Sequence, residues 1–249
     1  MDAAAYREMA ALEDGHWWFV GRRQIIDALI RTLPLPPHAR ILEIGCGSGG
    51  NLAMLSRYGE LSAGEYDAEA RQRASDRGVA TRIATCELPR VFPFDGEVFD
   101  LILMLDVLEH IEDDAASLAA VRRHLADDGW LVMTVPAFPF LWSAHDTHNH
   151  HFRRYTRSAL IARLRQAGLE PAYHGFFNFW LFPLIALVRA IKRLGREREG
   201  GDLAMPPAPI NRLLATLFAS ERFAMGRFPL PFGVSYIVSA RPSGTAAGR

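Results

Sequence analysis

The chain has few cysteines, a single lysine and no long apolar run, and each shortage excludes a class of protein. Two cysteines among 249 residues are too few for a disulfide framework or a cysteine zinc site, and they fit a reducing compartment. Positive and negative charges balance at a formal net charge of zero, so the chain lacks the basic field that holds a nucleic acid backbone. Lys192 is the one lysine, and we assign it no role.

No segment has the composition of a membrane span or a secretory signal. The longest apolar stretch, residues 176–191, contains Pro183 and Arg189 and is shorter than the roughly 20 residues that a spanning helix needs. Residues 1–18 carry acidic side chains and lack an apolar core, so we expect a cytoplasmic protein without a transmembrane helix. The length suits one α/β domain over residues 1–249.

Predicted strands and helices alternate from residue 40 onward, which is typical of a doubly wound α/β sheet. Apolar runs such as LILML and WLVMTV indicate strands that are buried on both faces. The predicted strands are residues 40–44, 61–65, 80–84, 99–105, 130–135, 169–174 and 234–240. The predicted helices are residues 3–12, 21–33, 49–58, 68–77, 113–125, 156–168, 180–194 and 210–225.

A glycine-rich turn follows the first predicted strand. Residues 41–51 read ILEIGCGSGGN, with Gly45, Gly47 and Gly49 at every second position. Glycine lets the backbone turn tightly and approach a nucleotide closely. Glu43 comes two residues before the first glycine, where a negative charge gains nothing from the pyrophosphate of a dinucleotide. The same charge suits a ligand with a sulfonium and an amino group.

Acidic residues also follow the second and fourth predicted strands. Glu65 lies 20 residues beyond Gly45, where comparable folds place a carboxylate on ribose hydroxyls. Asp106 comes directly after the fourth strand, within the segment FDLILMLDVLEHIEDD at residues 99–114. Because the carboxyl ends of parallel strands meet in one crevice, we expect these acids and the glycine turn to lie together.

Together these motifs resemble the class I S-adenosylmethionine-dependent methyltransferases, whose first motif is an acidic residue followed by xGxGxG. The resemblance covers residues 40–178 and implies a Rossmann-like, doubly wound sheet of seven strands with the last strand antiparallel. It implies S-adenosylmethionine as the cofactor and a small molecule, not a nucleic acid, as the methyl acceptor. The turn also satisfies GxGxxG, so an NAD(P)-dependent oxidoreductase and a noncatalytic cofactor-binding or scaffold module are the alternatives.

The resemblance implies that the cofactor lies across the ends of the first, second and fourth strands. The cofactor contacts that it implies are Glu43, Gly45, Cys46, Gly47, Gly49, Glu65, Tyr66, Thr85, Leu105, Asp106 and Val107. The acid that often binds the adenine amino group in this family is missing after the third strand, where Ala84, Thr85 and Cys86 stand. Backbone groups of Thr85 and Cys86 are the expected substitute.

Histidines near the predicted crevice are candidates for the base that a hydroxyl acceptor requires. His110 follows the fourth strand, and His145 and His151 follow the fifth. The alternative for His110 is packing against the next helix. Histidines at positions 145, 148, 150 and 151 also invite a metal interpretation. Their spacing matches no compact helix or turn site, so the sequence predicts no metal.

Three further segments are predicted to shape the acceptor pocket. The stretches LWSAHD and HFRRYT are similar to a signature of one bacterial branch of the family, which is often found among enzymes acting on glycans or lipids. Residues 1–37 are predicted to form a helical lid, and residues 179–230 a helical insertion that caps the acceptor. The acceptor and lid candidates are Trp17, Trp18, Arg22, Trp142, Asp146, Arg153, Arg154 and Tyr155. Core packing of the tryptophans and solvated surface arginines are the alternatives.

The insertion is apolar and then basic, which suits a helix on a membrane surface or a roof over an apolar pocket. Packing on the sheet and a homodimer contact are the alternatives. Residues 195–202, GREREGGD, are predicted to be a charged linker. The sequence therefore predicts methyl transfer to a small molecule, with a hydroxyl oxygen favoured as the accepting atom. The predicted acceptor is amphiphilic, lipid-linked or glycan-linked. The protein is predicted to contact the inner membrane surface peripherally.

Overall fold

The structure, a computed structural model, describes residues 3–194 and 204–244. The linker predicted at residues 195–202 lies outside these ranges. Within them the chain forms a central sheet whose strands match the predicted ones closely in position. The strands are β1 (Ala39–Ile44), β2 (Gly59–Glu65), β3 (Arg82–Thr85), β4 (Phe99–Leu105), β5 (Leu125–Pro136), β6 (Leu169–Phe177) and β7 (Ser235–Pro242).

The described strands pair in the order β3-β2-β1-β4-β5-β7-β6. Strands β1 to β5 are parallel to one another, and β7 lies antiparallel between β5 and β6. This arrangement confirms the predicted Rossmann-like sheet of seven strands with an antiparallel last strand. The strand order reverses at β1, between β2 and β4, so a ligand crevice is expected beyond the carboxyl ends of these three strands.

Helices cover both faces of the sheet. They are α1 (Ala3–Leu12), α2 (Trp17–Ile30), α3 (Leu52–Leu55), α4 (Ala68–Asp76), α5 (Asp114–Arg123), α6 (Ala144–His148), α7 (Arg157–Gln166), α8 (Phe182–Leu194) and α9 (Ala208–Ala219). Several begin at a side-chain cap: Asp67, Asp113 and Thr156 each accept a hydrogen bond from the backbone N–H three residues later. These caps satisfy amide groups that the first helical turn leaves without a partner.

Some predicted helix boundaries were wrong. The helix predicted over residues 49–58 is the single turn α3, because Gly49 at φ +89° still belongs to the glycine turn and Gly59 already pairs with β1. Helix α2 begins at Trp17 instead of residue 21, since the His16 ring accepts a hydrogen bond from the Trp18 N–H at 3.4 Å. Helix α6 was not predicted at all; its residues were assigned to an irregular connection.

The two core layers use alternate residues of each buried strand. On β4, Leu101 and Leu103 pack with Ile25 of α2, whereas Ile102 and Met104 pack on the opposite face. Helix α9 of the predicted insertion also belongs to the α2 layer, where a Cβ at Gly21 would lie 2.5 Å from the ring of Phe218. Part of the insertion therefore contributes to the core.

A buried glutamate joins the insertion to the end of β6. The Glu221 carboxylate accepts hydrogen bonds from the backbone N–H groups of Asn178 and Phe179 at 2.7 Å and of Trp180 at 3.1 Å. Burial raises the pKa of Glu221 to about 7, although these three donors favour its charged form. Glu221 therefore positions the start of α8 by binding three consecutive amides.

Candidate active site

A cavity of about 1060 Å³ lies beyond the carboxyl ends of β1, β2 and β4. Its walls come from the glycine turn, the ends of β2 and β4, the loop after β5, and helices α1, α2 and α8. Small-molecule sites in proteins commonly measure about 300–1,000 Å³. The cavity therefore has room for a nucleoside-sized ligand together with a second molecule.

The glycine turn forms one wall of this cavity. Gly45 and Gly47 adopt φ angles of +70° and +56°, which residues other than glycine rarely adopt. A Cβ at Gly45 would lie 2.5 Å from Cγ2 of Val107, whereas a Cβ at Gly47 would meet no atom within 4 Å. The turn thus packs tightly against the β4 loop on one side and leaves open space on the other.

Glu65 lies at the end of β2 and faces the cavity. Its Oε2 accepts a hydrogen bond from the Gly47 N–H at 2.8 Å, and its Oε1 accepts from the Asp67 N–H at 2.9 Å. The Tyr6 hydroxyl donates to the same Oε1 at 3.0 Å, which places α1 over this corner. Burial and the charge of Glu65 raise the pKa of Tyr6, so the phenol stays protonated as a donor.

Glu43 lies beneath the glycine turn and does not line the cavity. One carboxylate oxygen accepts a hydrogen bond from Asn51 Nδ2 at 2.7 Å, and the other has no hydrogen-bond partner among the described residues. Burial raises the pKa of Glu43 to about 8. In the structure its contact is therefore with the residue that follows the turn. Its link to a cofactor amino group, through solvent or backbone donors, stays a prediction.

Arg22 and Asp106 form a partly buried ion pair at the end of β4. Asp106 has a φ of +57°, an uncommon conformation for a non-glycine residue that occurs often at functional sites. Arg22 also donates to the Thr134 hydroxyl at 3.1 Å, and its guanidinium lies 5.1 Å from the centroid of the Trp18 ring. Arg22, a predicted lid residue, thus pairs with a carboxylate of the chain itself, and this pair joins α2 to the end of β4.

Glu13, between α1 and α2, binds the far side of the glycine turn. Its Oε1 accepts from the Ser48 hydroxyl at 2.8 Å and from Arg77 Nη2 at 2.5 Å. Its backbone carbonyl accepts from Arg23 Nη1 at 2.6 Å. The amino-terminal helices are therefore held against the turn by charged hydrogen bonds in addition to apolar packing.

Asp146 organises the loop after β5. Its side chain is 0% exposed, and its Oδ1 accepts from His151 Nδ1 at 2.9 Å and from Arg154 Nε at 2.8 Å, while Oδ2 accepts from the Ser143 N–H at 2.9 Å. Burial opposes its ionisation, but the hydrogen bonds from His151 and Arg154 hold the pKa of Asp146 below its usual value. The ionised carboxylate thereby orients the His151 ring, which lines the cavity.

His110 and Glu109 lie beside His151 at the cavity. The rings of His110 and His151 are 4.5 Å apart between centroids, at an interplanar angle of 84°. Burial, together with the neighbouring His151, lowers the pKa of His110 to about 3, so its imidazole is neutral. Glu109 is 1% exposed, and neither of its carboxylate oxygens has a hydrogen-bond partner within the described part of the chain. Burial, reinforced by Asp106, raises the pKa of Glu109 well above its usual value.

The structure brings most of the sequence-predicted site residues to one surface. Those that line the cavity are Trp17, Trp18, Arg22, Gly45, Cys46, Gly47, Glu65, Tyr66, Leu105, Asp106, Val107, His110, His151 and Arg154. Those that lie off its surface are Glu43, Gly49, Thr85, Trp142, Asp146, Arg153 and Tyr155. The side chain of His145 lies outside what the structure describes.

The charged residues of the HFRRYT stretch bind carboxylates of the chain itself. Arg154 donates to Asp146, and Arg153 Nη1 lies 2.9 Å from Oδ2 of Asp114. The Tyr155 hydroxyl donates to the same Asp114 oxygen at 3.0 Å. Both guanidinium groups thus neutralise acidic side chains of the chain itself. Residues that the sequence marked as acceptor candidates therefore have a structural role.

Several cavity residues were not among those that the sequence marked. They include Tyr6, Met9, Glu13, Ser48, Glu109, Leu184, Ile185, Val188 and Arg189. Of the two residues whose backbone groups were expected near the adenine, Cys86 lines the cavity and Thr85 does not. Glu109 and the α8 residues belong to segments that were predicted to lie at the site. Membership of those segments was the only feature of the sequence that indicated them. Tyr6 and Glu13 belong to the lid predicted over residues 1–37, but nothing in the sequence distinguishes them within it.

Comparison with known proteins points to one family. A family model described as a methyltransferase domain matches residues 17–174, which is more than half of the chain. The ubiquinone biosynthesis O-methyltransferase of Dinoroseobacter shibae is 30% identical over an alignment of 154 positions, which covers 53% of this chain. The match spans 60% of that relative's own length.

Solved structures share the fold at low sequence identity. The magnesium protoporphyrin IX methyltransferase from Synechocystis PCC 6803, solved with bound SAH, matches with a TM-score of 0.61 and 13% identity, covering 97% of this chain and 95% of that one. The [4+2]-cyclase SpnF matches with a TM-score of 0.61 and 18% identity over the same shares of the two chains. Because one fold hosts different chemistries, these likenesses show the architecture alone.

The residues at the crevice fit the cofactor that this family uses. The turn at Gly47 has space for a ligand, and the carboxylate of Glu65 faces that space, as hydroxyl groups of a ribose require. Asp106 and Val107 close the opposite side. The match of the family model over most of the sheet, together with this cradle, shows that the chain belongs to the class I S-adenosylmethionine-dependent methyltransferases.

Proposed function

We propose that this chain transfers a methyl group from S-adenosylmethionine to a hydroxyl oxygen of a small-molecule acceptor. The observation that carries the proposal is that the glycine turn, Glu65, His110 and His151 all line one cavity. When bound, S-adenosylmethionine supplies an electrophilic methyl group. The relative from Dinoroseobacter shibae is an O-methyltransferase, which supports oxygen as the accepting atom.

In this proposal the cofactor is held by backbone groups of the glycine turn and by the acids at two strand ends. Glu65, which lines the cavity, exchanges its hydrogen bond from Tyr6 for bonds to the ribose hydroxyls. Leu105 and Val107 flank the nucleoside, and Cys86, one of the two residues expected to contact the adenine through the backbone, offers that contact. Glu43 supports the turn from below through Asn51.

We infer that His151 takes the proton from the acceptor hydroxyl. Asp146 accepts the hydrogen bond at Nδ1, so Nε2 is the nitrogen on the opposite side of a ring that lines the cavity. The negative charge of Asp146 stabilises the imidazolium that forms, as a carboxylate does behind other catalytic histidines. His110 is neutral and contacts the same space, where it orients the acceptor. His145, the third histidine predicted as a candidate base, remains a prediction.

The acceptor pocket has an apolar wall. Leu184, Ile185 and Val188 of α8 line the cavity beside Trp17 and Trp18. Burial of apolar surface against such a wall contributes about 25 cal/mol per Å² to binding. This wall supports the predicted cap and an acceptor that carries an apolar group in addition to its hydroxyl.

Calorimetry is expected to show binding of S-adenosylhomocysteine and no binding of NAD or NADP. The physical reason is the cradle at Gly47 and Glu65, which suits a ribose and a cationic or neutral sulfur centre more than a pyrophosphate. Formation of S-adenosylhomocysteine from S-adenosylmethionine with a hydroxylated acceptor would exclude the noncatalytic module. Binding of NADP in place of S-adenosylhomocysteine would overturn the proposal and leave the oxidoreductase alternative.

We also propose that α1 and α2 act as a lid over the bound cofactor. Trp18 stacks beneath Arg22, and both line the cavity. Replacing Arg22 by Met or Trp18 by Ala is expected to weaken S-adenosylhomocysteine binding about 10-fold, equivalent to about 1.4 kcal/mol. Arg31→Met, at the exposed end of α2, is the matched control and should bind normally. Unchanged affinity in folded Arg22→Met and Trp18→Ala proteins, measured by calorimetry, would refute the lid.

A further proposal concerns a lipid surface. None of the described helices is both long and apolar enough to cross a bilayer. The outer faces of α8 and α9 nevertheless expose large apolar side chains, including Leu187 at 57% and Leu213 at 68%. An amphipathic helix with such a face binds in the plane of a membrane interface. These two helices therefore suit peripheral contact with lipid. An amphiphilic acceptor would then pass from the lipid into the cavity below α8.

Flotation with vesicles that contain anionic lipid is expected to carry the wild-type protein upward. The double variant Leu187→Asp/Leu213→Asp should lose most of this binding, because each Asp puts a charge in place of apolar surface that the lipid would bury. Val98→Asp, at a site 48% exposed outside the insertion, is the control and should float normally. No flotation of the wild-type protein, with a dimer by gel filtration that the double variant abolishes, would favour the homodimer contact instead.

A further inference from the structure

We propose that Glu109, His110 and His151 form a binding site for a divalent transition-metal ion. One potential ligand atom from each residue lies within 4.8 Å of the other two. The three residues come from two segments, which are joined by a hydrogen bond from the Phe152 N–H to the Glu109 carbonyl at 2.8 Å. The sequence predicted no metal, because the histidines at positions 145–151 match no compact site; only His151 of that group belongs to this cluster.

A buried carboxylate with no partner provides a second, independent observation. Glu109 is 1% exposed and lines the cavity, and both of its oxygens lack a hydrogen-bond partner among the described residues. A buried polar group without a partner is costly, and a buried charge without one is more so. A bound cation would satisfy both oxygens and would also offset the negative charge of Asp106 nearby.

Groups behind the two imidazoles orient them as they do in known metal sites. The Asp146 carboxylate binds Nδ1 of His151, which directs Nε2 away from Asp146. His110 hydrogen-bonds to the backbone of Asn149. Metal-binding histidines almost always donate their second N–H to a carboxylate or a backbone carbonyl, which fixes the tautomer and raises the basicity of the ligand nitrogen. Both histidines of this cluster meet that requirement.

The donor set selects the class of ion. Two imidazoles and one carboxylate suit Zn²⁺, Mn²⁺ or Fe²⁺, whereas Mg²⁺ prefers sites made of oxygen atoms. Bonds from zinc to these ligands measure about 2.0–2.2 Å, so the ligand atoms must close toward the ion by rotation of their side chains. Three protein ligands leave a coordination position that faces the cavity for the acceptor.

The inference rests on the proposed function and refines it. A cation at this cluster would bind the acceptor hydroxyl oxygen and lower its pKa, so that the proton leaves to water and the oxygen lone pair attacks the methyl carbon. The electron pair of the carbon–sulfur bond then stays on sulfur. In this loaded state His151 is a ligand to the ion, and its role as proton acceptor passes to solvent.

Titration of the untagged, chelator-treated full-length protein with ZnCl₂ and MnCl₂ tests the site. Calorimetry is expected to show one ion bound per chain, with MgCl₂ binding at least about 100-fold more weakly. Glu109→Gln and His110→Ala should weaken Zn²⁺ binding by about 100-fold or more, and Asp146→Asn by about 10–100-fold. Co²⁺ bound in place of Zn²⁺ should give visible absorption bands that these variants lose. His148→Ala, an exposed histidine in the same loop, is the matched control and should bind normally.

The outcomes separate this inference from the proposed function. Each variant is also titrated with S-adenosylhomocysteine, which reports an intact fold and cofactor site without any metal. Normal S-adenosylhomocysteine binding with no stoichiometric Zn²⁺ binding would overturn the metal site alone. Zn²⁺ binding that Glu109→Gln and His110→Ala leave unchanged would place the ion elsewhere and overturn it equally. Failure to bind S-adenosylhomocysteine in the wild-type protein would instead contradict the proposed function.

Discussion

Replacing Gly45 by Ala is expected to lower the affinity for S-adenosylhomocysteine at least about 100-fold, which corresponds to about 2.7 kcal/mol. A Cβ at this position would lie 2.5 Å from Cγ2 of Val107, so the turn or the β4 loop must move. Both segments line the cavity, and Val107 follows Asp106 directly. Isothermal titration calorimetry measures the affinity, and thermal unfolding reports whether the protein remains folded.

The matched control for Gly45→Ala separates backbone strain from displacement of the site. Gly78→Ala places the same side chain at a φ of +63°, close to the +70° of Gly45, where a Cβ meets no atom within 4 Å. Both variants bear a left-handed conformation that costs about 1–2 kcal/mol, but only Gly45→Ala collides with the cofactor wall. If Gly78→Ala and Gly45→Ala bind equally well, the glycine turn does not form the cofactor site.

Replacing His151 by Gln is expected to lower kcat by about 10²–10⁴ while the affinity for S-adenosylhomocysteine stays unchanged. His151 lines the cavity, whereas the glycine turn and Glu65 that hold the cofactor lie in other segments. Glutamine keeps a polar side chain of similar reach but cannot take a proton at neutral pH. Steady-state kinetics with a hydroxylated acceptor, together with calorimetry, gives both quantities.

Two companion variants define what a loss of turnover in His151→Gln means. His148→Gln changes an exposed histidine in the same loop and should retain normal turnover. Asp146→Asn should lower kcat as well, since it removes the charge that orients His151, and its cost in stability is measured separately because Arg154 also binds Asp146. Normal turnover in a folded His151→Gln protein would exclude this residue both as the base and as an essential metal ligand.

Local sequence patterns predicted the sheet well because buried parallel strands have a distinctive composition. The predicted strand at residues 99–105 coincides with β4 (Phe99–Leu105), where five consecutive apolar residues follow Asp100. The helix predicted over residues 49–58 failed for the converse reason. Gly49 still has the backbone conformation of the glycine turn, and β2 begins as early as Gly59, which pairs with β1. Neither the turn conformation nor the strand pairing can be read from the pattern of residue types.

The acidic residues of the site were predictable where the fold requires them at a particular sequence position. Glu65 and Asp106 each stand at a strand end, and the topology of the sheet brings such ends together. Glu13 and Tyr6 lie far from these motifs in sequence and reach the site only because α1 and α2 fold back over it. Contacts of that kind depend on the docking angle of a helix, for which one sequence offers no periodic signal.

The sequence by itself determined the strand and helix order, the glycine turn and the acids at the strand ends, because each depends on local backbone preference or on spacing along one strand. Only the tertiary structure decided what surrounds the acceptor. It paired Arg154 with Asp146, buried Glu109 without a hydrogen-bond partner among residues 3–194 and 204–244, and brought His110 against His151. Such pairings join segments that are distant or irregular, so packing of the whole chain, and not any repeating pattern, sets their distances.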